Sequence, residues 1–256
     1  MSPPLFWVDE VPWGGDVTVS GSEGRHAVTV TRICAGETVL IADGRGAVAR
    51  AEVLGTHGKD HLELRVRARS SVPGAQPPVT VVQALPKSER SELAVELATE
   101  AGADRIIAWQ SARCVSRWHG DRAHKGLAKW RSAAAAAAKQ SRRARIPEID
   151  GVYTTIDVRA LVADAVGRGG VVAVLHEDAD APFGVVSWAT ATEIVVVVGP
   201  EGGLADDEVA DLRAVGATPV LLGPQVVRTS TAAALALAAV GVLTDRWSTP
   251  GALDDV

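Results

Sequence analysis

Two short runs constrain the fold more than anything else in the chain. Val171-Val172-Ala173-Val174-Leu175 and Ile194-Val195-Val196-Val197-Val198 are apolar at every position. A strand with one wet face alternates, whereas a strand covered on both faces does not. Val79 to Leu85, Arg105 to Trp109 and Pro219 to Leu222 read the same way. Helical stretches lie between them. Ser88 can cap a helix reaching Ala101, with Leu93, Leu97 and Ala101 on one face and Gly102 as its stop. Lys125 to Arg143 is a long helix holding six consecutive alanines, Ala133 to Ala138. Asp206 to Val215 and Thr229 to Trp247 complete the set. Non-alternating strands interleaved with helices predict an α/β fold with a parallel sheet covered on both sides.

The first 70 residues follow a different rule. Val17–Val19, Ala27–Val30, Thr38–Ile41, Ala47–Ala49 and Leu62–Val66 are short and β-rich, with turn signals such as Asp43-Gly44-Arg45-Gly46 between them. Close-spaced short strands suggest a small barrel. Val72-Pro73-Gly74-Ala75-Gln76-Pro77-Pro78 then reads as a linker, which places a domain boundary there. No internal repeat is present.

Composition removes several classes. Apolar residues make up 47% and charged residues 22%, which excludes wholesale disorder. Cys34 and Cys114 stand alone, so neither a disulfide scaffold nor a zinc site is expected. Met1 to Leu5 lacks the basic flank and apolar run of a signal peptide. The longest apolar stretch, Ala232 to Leu243, is too short to span a bilayer. A soluble cytoplasmic protein with no metal and no membrane partner is the expectation.

The formal net charge of −5 argues against a nucleic-acid partner, but its distribution reverses that. Between Arg113 and Arg145 there are ten Lys/Arg and a single acid, Asp121. Such a block creates a local positive field suited to phosphate backbones. A solvated helix face is the competing explanation.

Ligands of parallel α/β sheets bind beyond the carboxyl ends of the strands. Three loops there carry polar or glycine residues: Leu175-His176-Glu177, Gly199-Pro200-Glu201-Gly202-Gly203-Leu204 and Gly223 to Thr231. The second has neither the Lys-Ser/Thr of a P-loop nor a dinucleotide G-x-G-x-x-G. Its glycines permit close backbone approach, and Glu201 favours a cationic ligand over a phosphate. A tight strand-to-helix turn is the plainer alternative. In the third, Arg228 at a helix start makes a site for an anion or a carbonyl. Alternatively, a hydroxyl from Thr229, Ser230 or Thr231 caps the helix and Arg228 faces water.

Gly199 to Leu204, followed by Leu222-Gly223-Pro224-Gln225-Val226-Val227-Arg228-Thr229-Ser230-Thr231-Ala232-Ala233, resembles the signature of the RsmE family. These are 16S ribosomal RNA uracil-N3 methyltransferases of the SPOUT superfamily. Ala84-Leu85-Pro86-Lys87, Glu92 to Gly102, Trp130, Gln140-Ser141-Arg142-Arg143 and Ile146-Pro147-Glu148-Ile149 are similar to its catalytic domain. Arg25-His26, Val30, Arg32, Gly36 and Asp43-Gly44 are similar to its N-terminal domain. The resemblance implies a PUA-like β-barrel over residues 1–73 that binds RNA. It also implies a SPOUT methyltransferase domain over 79–249, with a C-terminal trefoil knot at about 195–245.

The resemblance further implies a homodimer acting on 16S RNA of the small ribosomal subunit, at N3 of uridine 1498. S-adenosylmethionine is the implied cofactor, held at Leu175, His176, Gly199, Gly202, Leu222, Gly223, Val227 and Thr229. Arg228 is the candidate for stabilising charge on the uracil carbonyls. Glu201 is a candidate base, with holding the glycine-rich loop or the cofactor as its rival role. Arg25, Arg32, Lys87, Arg90, Arg142, Arg143 and Arg145 are the expected RNA contacts. Gln225 and Ser230 depart from the family pattern, which often has Arg and Glu there. A SPOUT methyltransferase acting on another RNA and a non-catalytic ribosome-assembly factor are the alternatives.

Overall fold

The computed structural model describes residues 3–87 and 90–248, so the expected cap at Ser88 lies outside the described residues. The chain forms two compact units. Among the described residues, one contains 3–74 together with Ala138–Ile146; the other contains Ala75–Ala137 and 147–248.

The first unit is a five-stranded sheet. Its elements are β1 (Leu5–Trp7), β2 (Gly15–Val19), α1 (Gly21–Arg25), β3 (Thr38–Ala42), β4 (Ala47–His57) and β5 (His61–Ser71). The strand order is β1-β3-β4-β5-β2, with only the β1–β3 pair parallel. Strand β3 is apolar at successive positions because both its faces are covered. Val39 and Ile41 join a core with Phe6, Leu62 and Leu64. Leu40 and Ala42 pack with Leu5, Val48 and Ala144 on the opposite face.

Ala27–Val30 is not the strand its composition suggests. His26–Thr31 continues from α1 as a wide helical turn, ended by Arg32 at φ 58°. Strand alternation would bury Thr29 alongside Ala27, yet Ala27 is fully buried while Thr29 and Val30 are exposed. Gly24 is required at the preceding turn, since a Cβ there would sit 2.0 Å from the Asp60 carbonyl oxygen.

The second unit is a six-stranded sheet. It comprises β6 (Val79–Ala84), α2 (Ser91–Glu100), β7 (Arg105–Trp109), α3 (Asp121–Gln140), β8 (Glu148–Tyr153), α4 (Thr155–Gly167), β9 (Val171–Leu175), β10 (Ile194–Val198), α5 (Asp206–Ala214), β11 (Thr218–Val220) and α6 (Thr229–Leu243). The order β11-β9-β10-β6-β7-β8 is parallel throughout. Strand β10 sits centrally and is buried at all five positions, which is why its sequence shows no alternation.

The helices differ from expectation in three respects. Helix α2 buries Ser91, Ala94, Val95, Ala98 and Thr99, while Leu93 is 42% exposed. Small side chains line its packed face because α2 lies close against α6. Helix α3 begins one turn before Lys125 and ends at Gln140, where Arg142 at φ 58° breaks the helical path. Helix α6 ends at Leu243, and Asp245–Trp247 forms a separate tight turn.

Candidate ligand cleft at the carboxyl ends of the central strands

Strands β9, β10 and β11 end side by side, so the loops that follow them meet. Together they line a cleft of about 540 Å³, the size of a small-molecule site. Leu175, His176, Gly199, Glu201, Gly202, Leu222, Gly223, Val227, Arg228 and Thr229, all singled out from sequence, line this one cleft.

The loop after β10 is held from three sides. The Thr229 hydroxyl donates to the Gly199 carbonyl at 2.5 Å. Arg113 donates from Nη1 to the Leu204 carbonyl at 2.9 Å and, at 3.5 Å, to that of Gly202. Glu201 Oε1 accepts from the Lys87 backbone N–H at 3.0 Å. A turn closes within the loop as Gly203 N–H donates to the Pro200 carbonyl at 2.9 Å, with Gly203 at φ 70°. That positive φ suits glycine and strains other side chains.

The loop after β9 is fixed at its start, where His176 N–H donates to the Val220 carbonyl at 3.0 Å. The Asp178 backbone N–H donates to His176 Nδ1 at 3.2 Å. That contact makes Nδ1 an acceptor, so a neutral ring carries its proton on Nε2. The loop after β11 leads into α6. Thr231 and Ala232 N–H both donate to the Arg228 carbonyl, at 2.8 and 3.0 Å. Thr229 and Ser230 N–H have no acceptor among the described residues, as expected of a helix start. The exposed Arg228 guanidinium forms no hydrogen bond or ion pair among them either.

Glu177, Asp178, Glu201 and Asp206 line the cleft, against the cations Arg113 and Arg228. An excess of carboxylates favours a ligand carrying positive charge. The free N–H groups and Arg228 at the start of α6 offer a complementary place for an anionic or carbonyl group.

The supporting layer was less visible in sequence. Arg113 and Arg117 belong to the basic stretch but are engaged with backbone carbonyls, Arg117 with Ser111 and Ala112 at 3.0 and 2.7 Å. Glu208 is buried, and its carboxylate accepts from Ala112 N–H, the Thr155 hydroxyl and Ala205 N–H, at 2.9, 2.8 and 3.2 Å. It thereby ties the loop carrying Arg113 to the starts of α4 and α5. Burial pushes the thiol of neighbouring Cys114 above its ordinary range; its Sγ lies 3.2 Å from Ser111 Oγ. Gln83 is the one large polar residue in an apolar strand, a signal that could have marked it.

The expected RNA contacts occupy several places. Arg25 ends α1 and Arg32 ends the following helical turn, both exposed. Lys87 is exposed and Arg90 half-buried just before α2. Arg142, Arg143 and Arg145 are half-buried after α3, and Arg145 Nε donates to the Val72 carbonyl at 3.0 Å. Among the described residues no helix is long and apolar enough to cross a membrane, and no acidic, histidine and cysteine cluster could hold a metal.

Residues 74–241 match the family model for an RNA methyltransferase domain, and residues 19–67 the model for an RNA methyltransferase PUA domain. The chain is 56% identical over 244 residues to the ribosomal RNA small subunit methyltransferase E of Mycobacterium bovis, covering 95% of this chain and 93% of that protein. Two solved structures are also similar. The enzyme of the same name from Neisseria gonorrhoeae, bound to S-adenosyl methionine, is 23% identical with a TM-score of 0.83, covering 95% and 98% of the two chains. A Legionella pneumophila protein described as a methyltransferase, in complex with the same cofactor, is 24% identical with a TM-score of 0.83, covering 95% and 99%.

Proposed function

Because the chain belongs to the family of ribosomal RNA small subunit methyltransferases E, we propose that it methylates N3 of one uridine in 16S RNA, uridine 1498 in the family's usual position. S-adenosylmethionine is the proposed methyl donor. The observation that carries this reading is the meeting of three strand-end loops in one carboxylate-rich cleft, with Arg228, unpaired among the described residues, at its helix-start end.

The residues present fit such a donor, which carries a sulfonium and an ammonium cation and a carboxylate. Glu177, Asp178, Glu201 and Asp206 suit the cations, and Arg113 or the α6 N–H groups suit the carboxylate. Leu175, His176, Gly199, Gly202, Leu222, Gly223 and Val227 would hold it largely through backbone groups. Thr229 would contribute its N–H, since its hydroxyl is already engaged. When bound, the donor supplies an electrophilic methyl group on sulfur.

The remaining work falls to the chain. N3 of uracil carries a proton, which must pass to a base, solvent water or a cleft carboxylate, before its electron pair can attack the methyl carbon. As the N–C bond forms, the S–C bond breaks and its electrons stay on sulfur. Arg228, with no competing partner among the described residues, would donate to a uracil carbonyl and stabilise the charge that builds as the proton departs. Glu201 already accepts from Lys87 N–H, which supports its role in holding the loop more than a role as base. N3 is hidden in a base pair, so an unpaired or flipped uridine is the substrate form.

Arg25, Arg32, Lys87, Arg90, Arg142 and Arg143 are the proposed phosphate contacts, with Arg145 contributing less because Val72 engages it. A homodimer is proposed as well, supported by the exposed Leu93, Leu235, Val242 and Leu243 on the packed pair α2 and α6. The trefoil knot proposed over about 195–245 rests on the family; the return of the chain after β10 to pair β11 with β9 fits it. A ribosomal substrate implies the cytoplasm.

The test incubates the purified protein with small ribosomal subunits and methyl-labelled donor, then digests the RNA to nucleosides. Label in 3-methyluridine is the expected result. Label on a ribose or another base would overturn the N3 assignment, and absence of label the activity.

A further inference from the structure

Gln83 lies near the end of β6 and is only 1% exposed. Its Nε2 donates to the Thr229 hydroxyl and to the Ala84 carbonyl, both at 3.0 Å. The Thr229 hydroxyl, occupied as an acceptor, turns its own proton to the Gly199 carbonyl at 2.5 Å. Gln83 Oε1 is buried with no hydrogen-bond partner among the described residues. Such an amide is a poor choice for stability, since an unmet buried acceptor is penalised and an apolar side chain of the same shape is not. Folding alone therefore does not account for glutamine here.

Its effect on geometry is specific. The relay runs from a central strand, through the first residue of α6, to the first residue of the loop after β10. Arg228 immediately precedes Thr229, and the free N–H groups of Thr229 and Ser230 share that turn. Both walls of the cleft are thus joined through one hydroxyl whose direction Gln83 dictates. We propose that Gln83 is a positioning residue for methyl transfer: acting through Thr229, it holds Arg228 and the Gly199–Leu204 loop at one separation across the cleft. This rests on the methyl-transfer reading above.

Gln83→Met keeps the length and removes the donor. With intact small subunits and S-adenosylmethionine, kcat is expected to fall on the order of tenfold, with KM for either substrate within about threefold. The melting temperature should hold or rise, because the unmet acceptor is gone. Amide hydrogen exchange over residues 199–204 should quicken. Gln83→Glu should be worse than Met, because its carboxylate draws the Thr229 proton away from Gly199.

Unchanged kcat in Gln83→Met would overturn the proposal. So would a fall in activity matched by a fall in melting temperature, since that marks a structural residue. If Gln83→Met does not fold, Thr229→Val breaks the same relay at its hydroxyl, with kcat against KM and the exchange of residues 199–204 as its readouts. Should the wild-type protein methylate nothing, the activity reading fails. The exchange of residues 199–204 still decides the positioning claim, and unchanged exchange sinks it.

Discussion

Replacing Glu208 by alanine should damage the protein far more than its helix-start position suggests. The side chain is 4% exposed, and its carboxylate accepts three hydrogen bonds from three different segments. A hydrogen bond to a charged acceptor contributes roughly 1.5–3 kcal/mol, so three bound the loss at about 4.5–9 kcal/mol. The Thr155 hydroxyl can rotate and water can enter the vacated space, which brings the expectation to about 3–5 kcal/mol. For a chain of this size that is a fall in Tm of roughly 6–20 °C.

Glu208→Gln separates the contributions. Its amide oxygen can keep Ala112 N–H and the Thr155 hydroxyl, while its NH2 faces the Ala205 N–H. Only the cap is lost, about 1 kcal/mol. Urea unfolding followed by circular dichroism measures both variants. An alanine variant within about 1 kcal/mol of wild type, or a glutamine variant as damaged as alanine, would refute the reasoning.

Arg228→Ala should lower methyl transfer roughly 100-fold or more with donor affinity nearly unchanged; equal losses in calorimetry and turnover would make Arg228 a binding residue instead. Arg113→Ala frees the Gly202 and Leu204 carbonyls and should weaken donor binding about tenfold, read by calorimetry; unchanged binding would show that the loop holds itself. Gly24→Ala should destabilise the first unit by about 2–3 kcal/mol, because the nearest atoms are backbone; wild-type urea unfolding would disprove that contact. Hydrogen bonds from the Thr154 backbone and then its hydroxyl hold the Asp157 carboxyl below its ordinary value of 3.8. A lowered folded value means that this contribution is present above the unfolded value and is lost as pH falls through the folded one. Asp157→Asn should therefore flatten the acid limb of the stability profile below about pH 4, and an unchanged limb would count against the cap.

What sequence revealed and what it hid follow from the range of the interactions. Val171–Leu175 and Ile194–Val198 announce buried strands because their composition is local information. The loops after β10 and β11 were recognisable for the same reason, as motifs of six and twelve consecutive residues, while only Leu175-His176-Glu177 marked the loop after β9. Strand β8 escaped notice because Asp150 and Gly151 interrupt it and only Ile149 of its six residues is buried. Helix α4 escaped because Ile156 is 81% exposed, so its apolar residues trace no clean stripe. The face of α2 was misread because large residues suggest a core, whereas close approach to α6 selects small ones. Gln83 with Thr229, and Glu208 with Ala112, meet across 146 and 96 residues, a separation that no local pattern reports.

Ala144 closes the second apolar face of β3, together with Leu5, Leu40 and Val48. The N-terminal unit therefore takes an essential wall from sequence that the ribosome delivers more than seventy residues after Ser71. During synthesis that unit must wait, half-clad, until most of the first half of the downstream sheet has emerged. A fragment cut at the Val72–Pro78 junction would expose the same bare surface permanently and should aggregate, and adding back the peptide 138–146 is the natural remedy.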